Sequence, residues 1–555
     1  MLLRHARRWQ SAGRSRISIA CASSAVASLL LSAGVASAAT YTYTPAEVTN
    51  TSGTSDGWVA GTGWTPSAPV SATDTTLILN GPTTNGITRF TTNDIAGLFQ
   101  LNNLTIQGAG PATTASALTV SGNGLDFRTD VATLPVINLN ATKGAATYTF
   151  TVNNPITLTN STTIQGNGTA AFVLAGAIGG AGGVTKTGTS AVQFNSAANN
   201  YGGATLVQAG TLRLGVANVI PDGSAVTVTN SGVNSGILDF NTKAETLASL
   251  TISGTGLINN TAAAITITGA LNNTSTSAGG SGAAYVINGG GVHNINGLAS
   301  FGVGATSLIS GTAGSQLKLN GGISTTGAAI KLNTGTSKIV LNSDWTVNDP
   351  GTIAFSAITN SGTNTNQLDL FGGNRTFTVA DGSAAVDFAV NATITSSVGT
   401  GTLIKAGPGT MSLANNNAAV AANSYNGGTS ILAGTLAILS NGSLGTGNVG
   451  ITPGATLDLS AVAVTSGGIA DSATLTLSHL DTTYGRVVFG SNALNEVVGS
   501  LIVDGETKPA GTYTAAELPN FITGSGSLTV VPEPGAIGSL AGALGVLCAR
   551  RRRKA

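Results

Sequence analysis

Charge is scarce in this chain: Asp, Glu, Lys and Arg make up 8% of 555 residues, against about 25% in an average soluble protein. The apolar residues that replace it stand singly among Thr, Ser, Asn and Gly, so a bundle of membrane helices is excluded. Helical periodicity is absent from the long central part, which excludes a coiled coil. Cysteine occurs twice, at Cys21 and Cys548, so residues 39–531 can form neither a disulfide nor a thiolate metal site. That stretch carries 13 basic and 21 acidic side chains, a net of −8. A mildly acidic body argues against nucleic acid as a partner. The few basic residues gather instead at the ends, at Arg4, Arg7, Arg8, Arg14 and Arg16 and again at Arg550 to Arg553 with Lys554.

Both ends read as addresses. The N-terminal arginines precede an apolar stretch, Ile17 to Val35, closed by Ala36-Ser37-Ala38. This is the pattern of a secretory signal helix, with cleavage expected between Ala38 and Ala39, and it makes the general secretion translocon a partner. At the other end, Val531-Pro532-Glu533-Pro534 is followed by fifteen uncharged residues, Gly535 to Ala549, and then by the arginine run. Prolines leave an extended, accessible peptide. The uncharged stretch is at the short edge of a membrane span, and the basic cluster would stay on the cytoplasmic side.

Between the ends, short triplets alternate apolar, Thr, apolar. Examples are Leu104-Thr105-Ile106, Val226-Thr227-Val228, Leu250-Thr251-Ile252 and Leu475-Thr476-Leu477. A period of two turns one face inward and leaves Thr outward. Two longer copies make the repeat explicit. The first reads Gly183-Val-Thr-Lys186-Thr-Gly188, Tyr201-Gly-Gly-Ala-Thr205, Ala209-Gly210-Thr211-Leu212. The second reads Gly401-Thr-Leu-Ile-Lys405-Ala-Gly407, Tyr425-Asn-Gly-Gly-Thr429, Ala433-Gly434-Thr435-Leu436. The spacing from Tyr to the Ala-Gly-Thr-Leu glycine is the same in both, while that from Lys to Tyr differs, as expected of strands joined by surface loops.

These copies resemble the autotransporter-associated β-strand repeat, and the C-terminal tail resembles the PEP-CTERM sorting signal of Gram-negative bacteria. The first resemblance implies an all-β fold, a right-handed parallel β-helix; with the two ends it predicts an N-terminal signal helix and a C-terminal transmembrane helix. Stacked coils about 4.8 Å apart share one core, and Asn or Thr aligned in turns bond along the axis. Coils of roughly 20–25 residues give about 20 coils and a rod near 100 Å. The expected organisation is a signal peptide (1–38), an N-terminal β-rich region (39–180), the first repeat (181–240), a looser middle (241–400), the second repeat (401–460), a C-terminal β region (461–531) and the sorting signal (532–555). The second resemblance makes Val531, Pro532, Glu533 and Pro534, with Arg550, Arg551, Arg552 and Arg553, a substrate for an exosortase-type processing enzyme.

Chemistry is sparse. The body's histidines, His293 and His479, are read as solvated or turn residues. No spacing points to a metal, a cofactor or a catalytic triad. Asp344 and Asp349 flank Trp345, and Asp381 stands near Asp387; these are read as turn aspartates. Trp58 and Trp64 are expected to cap the first coil, and Lys186 and Lys405 to serve the turns of the repeat. The expectation is an exported, non-enzymatic surface or matrix protein of a Gram-negative bacterium, passing through the inner membrane and meeting extracellular polysaccharide in adhesion, biofilm or envelope structure. The rival is a polysaccharide lyase or glycosidase on the same scaffold, which requires carboxylates gathered on one face.

Overall fold

A computed structural model describes residues 39–531, apart from 131–132, 260, 278–282, 312–313, 352–355, 361–364, 416–421, 441, 463–466 and 492. The predicted signal and transmembrane helices, with Ala36, Ala38, Pro532 to Pro534 and Arg550 to Arg553, lie outside the described residues. Among those described, the single helical element is one 3-10 turn, Ser52–Thr54, and no helix is long and apolar enough to cross a membrane. All else is strand, turn and loop.

The chain winds through a fixed order of short strands. Thr76–Asn80, Thr88–Asn93 and Phe99–Leu101 make one coil. The next begins at Asn103–Gln107, which lies parallel to Thr76–Asn80 with Leu77 beside Leu104 and Leu79 beside Ile106. Repetition builds a 21-stranded sheet from the first strand of each coil. Its parallel members run from Thr40–Tyr43 to Ser500–Val503, and Trp64–Thr65 and Glu506–Thr507 join antiparallel at its two ends. These antiparallel partners cover the edges that a stacked sheet would otherwise leave open for another chain to pair with. A second ladder runs from Asp56–Gly57 to Ile522–Thr523, each end paired on one side only, so it is an open stack. The structure is therefore a parallel β-helix solenoid.

Alternation fixes which residues turn inward. In Leu104-Thr105-Ile106 the two apolar residues are buried and Thr105 is half-buried on the outer face, and Leu250-Thr251-Ile252 repeats this. One cluster of buried side chains extends from Tyr41 to Val530. No coil could bury its apolar face alone, so this shared core is what the stacking supplies. Coil length is looser than predicted, from twenty residues between Ser430 and Gly450 to thirty-six between Thr40 and Thr76. Extra residues leave at the corners, where loops cost little.

The third face is discontinuous. Four strands, Phe99–Leu101 to Ile178–Gly179, form its first part. A seven-stranded ladder, Glu245–Leu247 to Thr393–Thr395, lies within the stretch whose repeat pattern is weakest. A third part contains Asn495–Val498, Gly511–Tyr513 and Ser527–Val530. The gaps between these parts coincide with the two repeat copies.

At the first coil, Trp58 and Trp64 are buried as the cap requires. Trp58 meets Trp64 edge-on at 5.2 Å and Phe99 at 5.3 Å, and Tyr43 lies 5.5 Å from Trp64. Trp58 Nε1 donates to Thr91 Oγ1 at 3.0 Å. Beside this cluster Arg89 is paired with Asp56, whose Oδ2 also accepts from Tyr43 Oη at 2.5 Å.

Candidate functional site: a repeated lysine and tyrosine coil

Each repeat copy turns its lysine into the core. Val184–Lys186 is buried, half-buried, buried in sequence, so the strand's own alternation points Lys186 inward. Its Nζ donates to the carbonyls of Thr187 (2.6 Å), Gly188 (3.0 Å) and, on the next coil, Ala209 (3.2 Å). Lys405 does the same with Ala406 (3.0 Å), Gly407 (2.8 Å) and Ala433 (3.0 Å). Three donors meet three acceptors, which is the full capacity of an ammonium group. Burial pushes both lysines down to about 8, so they stay charged at neutral pH. The charge is affordable only because every proton is bonded.

The glycine of Ala-Gly-Thr-Leu is needed for the same contact. Gly210 has φ +67° and Gly434 φ +65°, where other residues are strained. A Cβ on Gly210 would stand 2.4 Å from the Ser190 carbonyl and 2.9 Å from Lys186 Nζ. Tyrosine closes the other corner: Tyr201 Oη shares a hydrogen bond with Thr205 Oγ1 and Tyr425 Oη with Thr429 Oγ1, each 2.7 Å. The copies differ at Ala204 and Gly428. Gly428 adopts φ +97°, a conformation Ala204 does not share.

Asparagine is a member of the repeat that the quoted motifs omit. Asn199 Oδ1 accepts from Ile178 N and its Nδ2 donates to the Val219 carbonyl, both 2.7 Å. Asn423 accepts from Ile394 N at 2.7 Å and donates to the Ser443 carbonyl at 2.6 Å. Each amide bridges the coil before and the coil after, across the gap where the third face has no strand. The signal was present: Asn stands two residues before Tyr in both copies. A buried glutamate closes the first relay directly, Glu245 Oε2 accepting from Val219 N at 3.0 Å. In the second it stands one coil further on: Leu444 N donates to the Gly468 carbonyl at 2.8 Å, and Glu496 accepts from Gly468 N at 2.9 Å and Ile469 N at 2.6 Å. Burial raises Glu245 to about 7 and raises Glu496 as well.

Residues 184–214 and 403–438 match the family described as the passenger-associated transport repeat. The two copies are similar to passenger repeats. Both matches run from the lysine strand through the Ala-Gly-Thr-Leu strand, so the shared pattern contains the Lys, Tyr and Gly contacts just described. Comparison with curated proteins and with solved structures gave no match.

The other candidates are dispersed. His293 is not solvated: it is fully buried, Nδ1 lies 2.6 Å from Tyr285 Oη, and burial pushes it down to about 3. Its strand alternates Val292 out and His293 in, so the ring takes a core position that Leu317 fills on the next coil. His479 is at the surface, 2.7 Å from Asp504 Oδ2, with its ring stacked on Tyr484 at 5.2 Å. Trp345 is buried against Phe377 and Phe388 and offers no platform to a sugar.

Asp344 Oδ1 accepts from Thr376 N, and Asp349 Oδ1 from Gly351 N, both at 2.8 Å. Asp387 is buried and bonds Gly382 N at 2.9 Å and Thr410 N at 2.7 Å. Asp349 Oδ1 and Asp387 Oδ1 both come close to Gly382, whose N–H engages Asp387, while Asp349 is engaged by the backbone of its own turn at Gly351. Among the described residues no three His, Cys, Asp or Glu side chains come together. Two open grooves, about 250 Å³ beside Lys143 and Tyr148 and about 200 Å³ beside Tyr484 and Arg486, have no carboxylate in their walls. Of the sorting residues, Val531 is described; it is exposed and donates to the Val498 carbonyl at 3.3 Å. Ala39 receives Thr76 N at 2.9 Å, so the first ladder bond follows directly after the expected cleavage point.

Proposed function

We propose that the chain is an exported, non-enzymatic surface or matrix protein whose work is done by a stacked β-helix, wound right-handed as parallel crossovers prefer. The observation that carries this reading is the pair of passenger-type coils set in a stack that runs through the whole described body. A scaffold of this kind presents long rows of Thr, Asn and Ser to the outside, suited to hydrogen-bonding with polysaccharide in adhesion, biofilm or envelope structure.

Export begins with the signal helix, released between Ala38 and Ala39. The C-terminal helix then holds the chain in the inner membrane of a Gram-negative cell, and an exosortase-type enzyme acts at Val531-Pro532-Glu533-Pro534. Mass spectrometry of secreted, surface and membrane fractions tests the reading. A mature chain that begins at Ala39 and lacks Arg550 to Arg553 is the expected result. A chain retained inside the cell, or hydrolysis of polysaccharide by the purified protein, overturns it.

A further inference from the structure

The charge that is scarce in the chain is missing altogether from one of its faces. The first sheet contains nineteen parallel strands, its 21 members less the two antiparallel end strands. The charged residues of those nineteen strands are Lys186, Arg375 and Lys405. All three have the inward parity: they pair with the buried residues Val207, Leu403 and Ile431. Arg375 Nε donates to the Leu341 and Leu370 carbonyls at 2.7 and 3.1 Å, as the two lysines donate to theirs. Every outward position of the nineteen strands is uncharged. The other faces differ. Arg213, Lys331 and Arg486 stand exposed on the second ladder, and Lys318 and Lys338 half-buried on the outer side of the third face.

What the first sheet turns outward instead is mostly hydroxyl and carboxamide. One row runs coil by coil from Thr227 through Thr251, Asn272, Ser300 and Ser324 to Thr346, each residue directly beside the next. Side chains on this face also bond from coil to coil: Gln107 Nε2 donates to Asn80 Oδ1 at 3.0 Å, and Asn348 Nδ2 to Ser324 Oγ at 2.9 Å. Ladders of this kind hold a many-stranded sheet flat. At about 4.8 Å per coil and about 10 Å of strand width, the face extends about 90 Å and offers about 900 Å². Two such faces pressed together bury about 1,800 Å², inside the range of about 1,200–2,000 Å² that stable interfaces occupy.

We infer that this face docks against the same face of a second copy of the chain, sheet on sheet about a two-fold axis. Charge selects the face. Residues 39–531 carry a net of −8, so two copies repel as bodies, and the least costly contact is one in which no charge loses its water. The cores of protein interfaces are depleted of charged residues for that reason. Chemistry selects the partner. A hydroxyl or carboxamide both donates and accepts, so a surface made of them complements itself, which is what a two-fold contact requires. Pairing covers one face of three and leaves the second ladder and the third face to the surroundings.

Sedimentation equilibrium of the purified secreted protein tests the pairing. The expected species is a dimer, tightened by added salt because screening weakens the repulsion between two acidic bodies. Thr251→Lys and Thr346→Lys each place a charge on the face and should weaken dimerisation about tenfold or more, since the ammonium would lose its water there. Thr151→Lys, at an outward position of the second ladder, should leave it unchanged. Melting temperatures of all three variants near that of the unsubstituted protein are expected, so that the loss is of association and not of the fold. A protein that stays monomeric at every concentration and salt reached, a dimer that salt loosens, a dimer indifferent to both first-sheet substitutions, or one broken equally by Thr151→Lys overturns the pairing.

Discussion

Lys405 Nζ lies 3.0 Å from the carbonyl of Ala433 on the next coil, and Lys186 repeats the contact with Ala209 at 3.2 Å. The residue after each of those alanines is the left-handed glycine, so the lysine and the glycine of the motif are halves of one joint. Lysine supplies a buried charge and glycine lets the backbone come close enough to accept its protons.

Replacing Lys405 by Met should keep the stem's packing and strand three carbonyls. Buried acceptors without partners cost about 1–3 kcal/mol each; with some relaxation the expected loss is about 3 kcal/mol, confined to the neighbouring coils. Hydrogen exchange of Thr402–Ala406 and Thr435–Ser440 should quicken, while Leu104 and its neighbours stay protected. Uniform quickening along the chain, or none, would contradict the joint.

Glu245 makes stability depend on pH in an uncommon direction. Burial raises its carboxyl to about 7 from 4.5, so the folded chain keeps a proton that the unfolded chain has released. The stabilisation is complete below pH 4.5 and is lost as pH rises through 7, by at most about 3 kcal/mol. Glu245→Gln should flatten the melting temperature across that window relative to the unsubstituted protein. An unchanged slope would show that the carboxylate is already ionised in the fold.

His293 acts in the opposite direction. Its folded value of about 3 lies below the ordinary 6.5, so the contribution is complete above pH 6.5 and disappears as pH falls toward 3. His293→Gln, which keeps a polar partner for Tyr285, should move the acid-unfolding midpoint downward. A midpoint that stays in place would mean the ring is solvated when protonated.

Trp58 should be the costliest single truncation near the N-terminus. Removing a fully buried indole that touches Trp64 and Phe99 costs about 3–5 kcal/mol. Limited proteolysis of Trp58→Ala should cut first within the coils before Leu104, and cutting elsewhere first would place the weak end of the stack elsewhere.

The solenoid was legible because its inward residues obey a period of two and its turns carry Gly and Asn. Leu104-Thr105-Ile106 and Leu250-Thr251-Ile252 pointed as read. Lys186 and Lys405 were legible as repeat members but not as core residues, because recurrence reveals a role and not a direction. His293 was not legible as a core residue for a related reason: its polar identity gives no sign of its inward place between Val292 and Asn294. The ladder from Glu245 to Thr395 was faint because its coils vary in length, which alternation within a strand does not record. Asp349 and Asp387 meet at Gly382 through coil stacking, a proximity that spacing along the chain could not reveal.

The register between coils can be tested with two engineered cysteines, since Cys21 and Cys548 lie outside the described body. Thr227 pairs directly with Thr251, both on the outer face, at a separation a disulfide can span. Mild oxidation of Thr227→Cys/Thr251→Cys should form an intramolecular bridge rapidly, while Thr227→Cys/Ile252→Cys, with one partner turned into the core, should not. Equal bridging of the two pairs, or bridging of neither, would contradict the parallel stack.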